Sequence, residues 1–238
     1  MSIRLSEPPA RLPALEPGDV RAVPAGTRVC RIYTRIGTHP TRPDQLRAYG
    51  PVPTARFDHH SPPPRRHEDV SVGYYGVVSL DDAGLDPTGP VSLDPEAGVA
   101  IDSPVVTAIA ETFQTNRTVV LSDRQALAIG TLSQPCEVLD LGSAWATRAG
   151  AGNHLSTGPH PVTRRWARAI WAGYPQLAGV YWHSSVHPPG RVLMLNERAA
   201  DQQGIVPMRL VYDEPLDGPF TRLLLAGVRT IIGYGLVS

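Results

Sequence analysis

Alternation of apolar and polar residues along the chain comes first. From Thr27 to Ile36 the two kinds alternate with period two, which predicts a half-buried strand, and Val70 to Leu80, rich in Val and Tyr, predicts a second. After Ser103, a good N-cap followed by Pro104, the apolar residues Val106, Ile109, Ala110 and Phe113 recur at helical spacing, with Glu111 off that face. Short strands are predicted at Val119 to Leu121 and Glu137 to Leu141, with a helical turn at 122–128 between them. A helix is predicted over Thr163 to Trp171, ended by Gly173 and Pro175. Strands are predicted at Val180 to Ser184, Arg191 to Leu195, Met208 to Tyr212 and Arg229 to Tyr234.

Three stretches lack such a pattern. Residues 1–26 carry prolines at 8, 9, 13, 17 and 24, too many for a helix or a central strand, and read as an N-terminal arm before a single domain over 27–238. Residues 37–69 are irregular and rich in Pro, His and Arg, a length of loop that is more often functional than idle. Residues 79–102 read as an inserted loop. Strands and short helices without regular strand–helix alternation give an α+β class rather than a doubly wound sheet.

Composition then removes several function classes. With 22 basic against 22 acidic residues, the chain has no net charge to drive non-specific nucleic-acid binding. All 22 basic residues are arginine, so P-loop and Schiff-base chemistry lack their lysine, whereas planar recognition of phosphate is well supplied. Cys30 and Cys136 stand far apart and are expected to be reduced thiols. The N-terminus lacks a signal-peptide run and no stretch is long enough to span a bilayer, so a soluble, cytoplasmic protein without a membrane partner is expected. His59, His60, His67, His183 and His187 are poorly spaced for a metal, and none is expected. Neither a Gly-x-Ser-x-Gly elbow nor a Gly-x-Gly-x-x-Gly turn occurs.

Five short motifs follow one another in order: Arg31 in Val-Cys-Arg-Ile-Tyr, Ala55-Arg56-Phe57-Asp58, Tyr74-Tyr75-Gly76, Thr107-Ala-Ile-Ala-Glu111-Thr-Phe113, and Leu177-Ala-Gly-Val-Tyr-Trp-His-Ser184 returning as Arg191-Val-Leu-Met-Leu. Each alone is weak. Together they resemble the RES domain, named for its Arg, Glu and Ser, over roughly residues 27–200. Departures are Ala55 where a glycine is common, Phe57-Asp58 in place of Trp-Asn, and the longer connection before the helix.

The resemblance implies an ADP-ribosyltransferase-like fold, a twisted mixed or antiparallel sheet with flanking helices. It implies NAD⁺ as substrate rather than bound cofactor, cleavage of the nicotinamide–ribose bond, and an Xre-like antitoxin as partner. Protein mono-ADP-ribosylation, with 79–102 facing the target, and an inactive nucleotide- or protein-binding module are the alternatives. Glu111, Arg31 and Ser184 take the catalytic positions; Arg56, Tyr75, Tyr33 and His183 take substrate contacts. The chemistry is apt. A carboxylate stabilises an oxocarbenium-like ribose, and guanidinium forks suit a pyrophosphate. An arbitrary helix glutamate or one arginine among 22 is ordinarily solvated, so convergence in one cleft is what gives these residues weight. Strand alternation lets only one of Tyr74 and Tyr75 face the site, and Tyr75 is favoured; Ser185 is the neighbour that could replace Ser184.

Overall fold

The computed structural model describes residues 5–80 and 99–238, so most of the expected insertion lies outside the described residues. Among the described residues, twelve strands and five α-helices follow in chain order. The first half holds β1 (Val20–Val23), β2 (Arg28–Thr34), β3 (Tyr49–Gly50), β4 (Arg65–Arg66), β5 (Val72–Val77), α1 (Pro104–Phe113), β6 (Thr118–Val120) and β7 (Gln125–Leu132). The second holds β8 (Cys136–Asp140), α2 (Ala144–Arg148), α3 (His154–Thr157), α4 (His160–Gly173), β9 (Gly179–His183), β10 (Arg191–Asn196), β11 (Met208–Pro215), α5 (Pro219–Ile232) and β12 (Gly235–Val237). Eight strands form one mixed sheet in the order β1-β8-β9-β10-β5-β2-β7-β11, in which only β8 and β9 run parallel. The α+β class read from the sequence is the one observed.

All the long helices pack on one face of this sheet. At one end α1 and α5 bury Val106, Ile109, Leu224, Leu225 and Val228 against Cys30, Leu127 and Ile129. At the other, α2 and α4 bury Trp145, Trp166 and Ile170 against Leu139, Val180, Trp182 and Met194. Each such fully buried aliphatic side chain is worth about 1.5–3 kcal/mol, so the two helix groups are held to the sheet independently. Between them the sheet floor is left uncovered. The opposite face carries Val29, Tyr75, Val77, Tyr181, Leu193 and Leu195, capped by Leu46 and Val206.

Two expectations are overturned. Residues 229–234 are not a strand: α5 runs to Ile232 and stops at Gly233, whose φ of 70° is the left-handed helix end that favours glycine. Leu224, Leu225 and Val228 carry the helical stripe, and the local run of Ile231 and Ile232 mimicked a strand. Residues 122–128 are not a helical turn, because β7 begins at Gln125 and lies between β2 and β11. Its Ala126, Leu127, Ala128 and Ile129 are buried on both faces, which removes the alternation that would have marked a strand. The proline-rich arm, for its part, packs Leu5, Leu12 and Leu15 on the α4 cluster and ends in β1, an edge strand. Neither α2 nor α3, each a single short turn or so, had a legible period in the sequence.

Candidate functional site

The uncovered floor between the two helix groups is a cavity of about 260 Å³. Its floor follows from register. Gly76 pairs with Val192 and Val192 with Trp182, so these three form one row on the helix-bearing face, and Tyr74 lies two residues from Gly76 on that same face. Gly76 must lack a side chain, since a Cβ there would stand 2.2 Å from the Pro104 carbonyl oxygen at the start of α1. That close approach brings α1 onto the sheet. Ala108, Glu111 and Thr112 on the flank of α1, with Thr115 in the turn just beyond it, then line the cavity wall.

Glu111 is fixed from the sheet. The Ser184 hydroxyl donates to Glu111 Oε1 at 2.6 Å and accepts the His187 backbone N–H at 3.0 Å. Ser184 is 3% exposed and Ser185 lies in solvent, which decides between the two. Burial pushes the Glu111 carboxyl above the ordinary glutamate range, while the Ser184 hydrogen bond and the Arg56 charge pull it back down.

Arg56 comes from the irregular segment. Thr163 Oγ1 donates to the Arg56 carbonyl at 2.7 Å, Arg164 donates to the Pro53 carbonyl at 2.9 Å, and the Arg56 guanidinium donates to the Gly158 carbonyl. The loop is thereby fastened to α4 with Arg56 half-buried in the cavity wall. Beside it, Arg47 also lines the cavity and pairs with buried Asp58 at 2.8 Å. Asp58 binds His60 Nδ1 at 2.5 Å and accepts the Val52 N–H at 2.8 Å. Burial alone would raise the Asp58 carboxyl, but His60, Arg47 and the Val52 amide outweigh it and hold it well below the usual carboxylate range. The sequence reading missed Arg47; its position in the aperiodic 37–69 stretch was the only signal.

Arg31 reaches the cavity from the other face of the sheet. Pairing of β2 with β5 covers only Val29 with Val77 and Cys30 with Gly76, and beyond it the strands part. Arg31 and Tyr75 meet in that gap, with the guanidinium carbon 5.2 Å from the ring centre. Arg31 Nη1 donates to the Gln45 carbonyl at 2.8 Å and the Pro43 carbonyl at 3.3 Å, and lies 3.4 Å from the Tyr75 hydroxyl.

Arg31, Arg56, Tyr75, Glu111 and Ser184 thus converge, Ser184 through its bond to Glu111. Three expectations need correction. Tyr75 is not the sole tyrosine at the site: Tyr74 holds the Glu111 side and Tyr75 enters through the gap, which strand alternation in an unbroken sheet would forbid. Tyr33 is not brought there, because two residues beyond Arg31 it packs on Ala126 and Ala128 and donates to Asp213 at 2.8 Å. His183 is not brought there either, since it ends β9 on the face opposite Trp182 and points toward Gly142. His187 does lie beneath Ser184, with Nδ1 3.0 Å from the Thr107 hydroxyl. Among the described residues no His, Cys, Asp and Glu cluster forms a metal cradle, and no helix is long and apolar enough to cross a membrane.

Residues 103–217 match the family model described as the RES domain. No curated protein matches the sequence. Among solved structures, one chain of the M. tuberculosis MbcT-MbcA toxin-antitoxin complex is similar, with 14% identity and a TM-score of 0.45 over 83% of this chain and 88% of that one.

Proposed function

We propose that this chain, which carries a RES domain at residues 103–217, cleaves the bond between nicotinamide and ribose in NAD⁺. The observation that carries the reading is one carboxylate, Glu111, held by Ser184 in a cavity that Arg56, Arg47 and Arg31 also line. In the reaction the carbon–nitrogen bond breaks and its electron pair goes to the ring nitrogen, which leaves as neutral nicotinamide. Positive charge appears on the ribosyl carbon and ring oxygen. Ionised Glu111 stabilises it and binds the ribose hydroxyls, while Ser184 keeps the carboxylate in place. With water as acceptor, addition at that carbon and loss of a proton give ADP-ribose. Ser184 is read as holding the carboxylate rather than as a nucleophile, because its hydroxyl hydrogen is committed to Glu111 and, among the described residues, no histidine–acid pair is aimed at it.

Arg56 supplies fixed cationic donors at the wall nearest Glu111, suited to the pyrophosphate. The resemblance further supports reading the protein as a cytoplasmic toxin that depletes NAD⁺ and is neutralised by an Xre-like antitoxin over the cavity mouth. Incubation with NAD⁺ and mass spectrometry of all products tests the reading. Free nicotinamide with ADP-ribose or a phosphorylated ADP-ribose is expected; an ADP-ribosyl mass on a protein points to the transferase instead. Unchanged NAD⁺ overturns it.

A further inference from the structure

Behind the cavity wall, a second polar contact joins the sheet to α1. Thr107 lies one helical turn before Glu111 on the same side of α1, and its hydroxyl stands 3.0 Å from Nδ1 of His187. Both residues are buried. His187 belongs to the turn that begins at Ser184 after β9 and ends at Gly190 before β10. This turn is closed on itself: the Ser184 N–H donates to the Gly190 carbonyl at 3.1 Å, and the Gly190 N–H to the His187 carbonyl at 2.8 Å. Residue 190 has to be glycine for ring and hydroxyl to meet, because a Cβ there would collide with Thr107 Oγ1 and stand 2.5 Å from His187 Nδ1. Burial pushes the imidazole below the ordinary histidine range, against the pull of the Ile101 backbone and of Asp102, so the ring is neutral at neutral pH.

We propose that His187 and Thr107 are positioning residues for the Glu111 carboxylate: together with the Ser184–Glu111 bond, they tie the β9–β10 turn to α1 at two points one helical turn apart. This rests on reading Glu111 as the carboxylate that stabilises the ribosyl cation. A helix held by one polar contact is free to turn or slide about it, and a second contact on the same side removes that freedom. His187 also acts on Ser184 directly. The Ser184 hydroxyl accepts the His187 N–H at 3.0 Å, which turns its own hydrogen toward Glu111. Neither His187 nor Thr107 lines the cavity, so neither meets substrate. Their effect is confined to where the carboxylate stands and how well Ser184 reaches it. Glu111 is needed in the transition state more than in the ground state, so its misplacement lowers kcat and largely spares KM.

Kinetics are joined to a titration that needs no turnover. Thr107→Val keeps shape and loses the hydroxyl, and His187→Leu loses the ring nitrogen. The double variant loses both and orphans neither, so it reports on the contact even if a single variant fails to fold. With NAD⁺, kcat should fall about 10- to 100-fold with KM within about threefold. The acid limb of kcat/KM should move to higher pH, since a loosened Ser184 hydrogen bond favours ionised Glu111 less. Arg56 and Tyr234, the other titratable groups facing Glu111 among the described residues, stay in place throughout. Thr107→Ser and His187→Asn retain a polar atom at each position and should recover most of the loss. NMR of isotope-labelled glutamate carboxyls, assigned by the signal missing from Glu111→Gln, should show the Glu111 titration itself moving up in the double variant. A lower melting temperature with limb, titration and kcat unmoved would show a packing contact only and overturns the proposal. So does a Thr107→Ser protein as impaired as Thr107→Val. If the Glu111 titration moves as expected while the parent protein leaves NAD⁺ intact, the reaction falls and the positioning stands.

Discussion

Ser184 donates its hydroxyl hydrogen to Glu111 across 2.6 Å, joining a strand of the sheet to the helix that crosses it. Residues 73 positions apart in sequence are fixed by this contact at one orientation, and it sets the expectations for both.

Replacing the carboxylate should separate folding from chemistry. Glu111→Gln keeps size and polarity, so a cooperative thermal transition near that of the parent is expected, with nicotinamide release lowered by about two to three orders of magnitude. Equal release by a folded Glu111→Gln would remove Glu111 from the mechanism.

Ser184→Ala should reveal itself in the pH profile. Glu111 acts ionised and burial has raised its pKa, so kcat/KM falls on the acid side at a pH above the ordinary glutamate value. The Ser184 hydrogen bond favours the ionised form, and its removal should move that acid limb to higher pH with kcat down about tenfold or more. An unmoved limb would show that Ser184 does not act through Glu111.

Arg31 and Arg56 should fail differently. Arg31 is 7% exposed and spends Nη1 on two loop carbonyls, so Arg31→Ala is expected to cost about 2–3 kcal/mol of stability as well as activity. Arg31→Lys should restore little, since an ammonium lacks the flat guanidinium that lies over the Tyr75 ring. Arg56→Ala should chiefly raise KM. Denaturant melts alongside NAD⁺ kinetics distinguish the two, and identical behaviour would contradict the assigned division.

Acid should weaken the fastening of the loop behind the cavity. Burial works to raise the Glu197 carboxyl, but His59, Trp171 and the backbone outweigh it and hold it down to about 2. A group depressed in the folded state adds stability above its unfolded pKa, near 4.5, and that stability is lost as pH falls toward 2. Asp58 behaves alike with a still lower folded value. Melting temperature should therefore decline over this window. The decline should be shallower in Glu197→Gln, which starts less stable, and an equal slope would mean the pair contributes nothing.

How far the site could be read without coordinates depended on the kind of constraint involved. Glu111 was legible because Ser103, Pro104 and the apolar stripe set the helix phase that places it off the buried face. Ser184 was legible by its distance from Gly179, whose missing Cβ lets β9 lie against the Met194 carbonyl. Tyr74 beside Tyr75, and Arg47, were not, since they depend on where two strands part and how a loop without period is tied to α4. His183 was misplaced because strand position had been read without the face it implies, whereas Tyr33 shares the face of Arg31 and misses the site because it lies farther along β2, against Ala126 and Ala128. In β7 and α5, small or clustered apolar residues concealed the true period, and only the neighbouring strands and Gly233 settle it.

Because β2 and β5 share only two register pairs, the large sheet is two smaller ones stitched at a single short place, and the cavity opens where the stitching ends. One panel brings Arg31; the other brings Tyr74, Trp182 and Ser184, and α1 lies across both. A molecule filling the cavity would act as a clasp between panels that the backbone ties only lightly. Residues 103–217 alone would include Glu111, Trp182 and Ser184 yet lack β2, β5 and every cavity arginine named above, leaving half a clasp with nothing to close on.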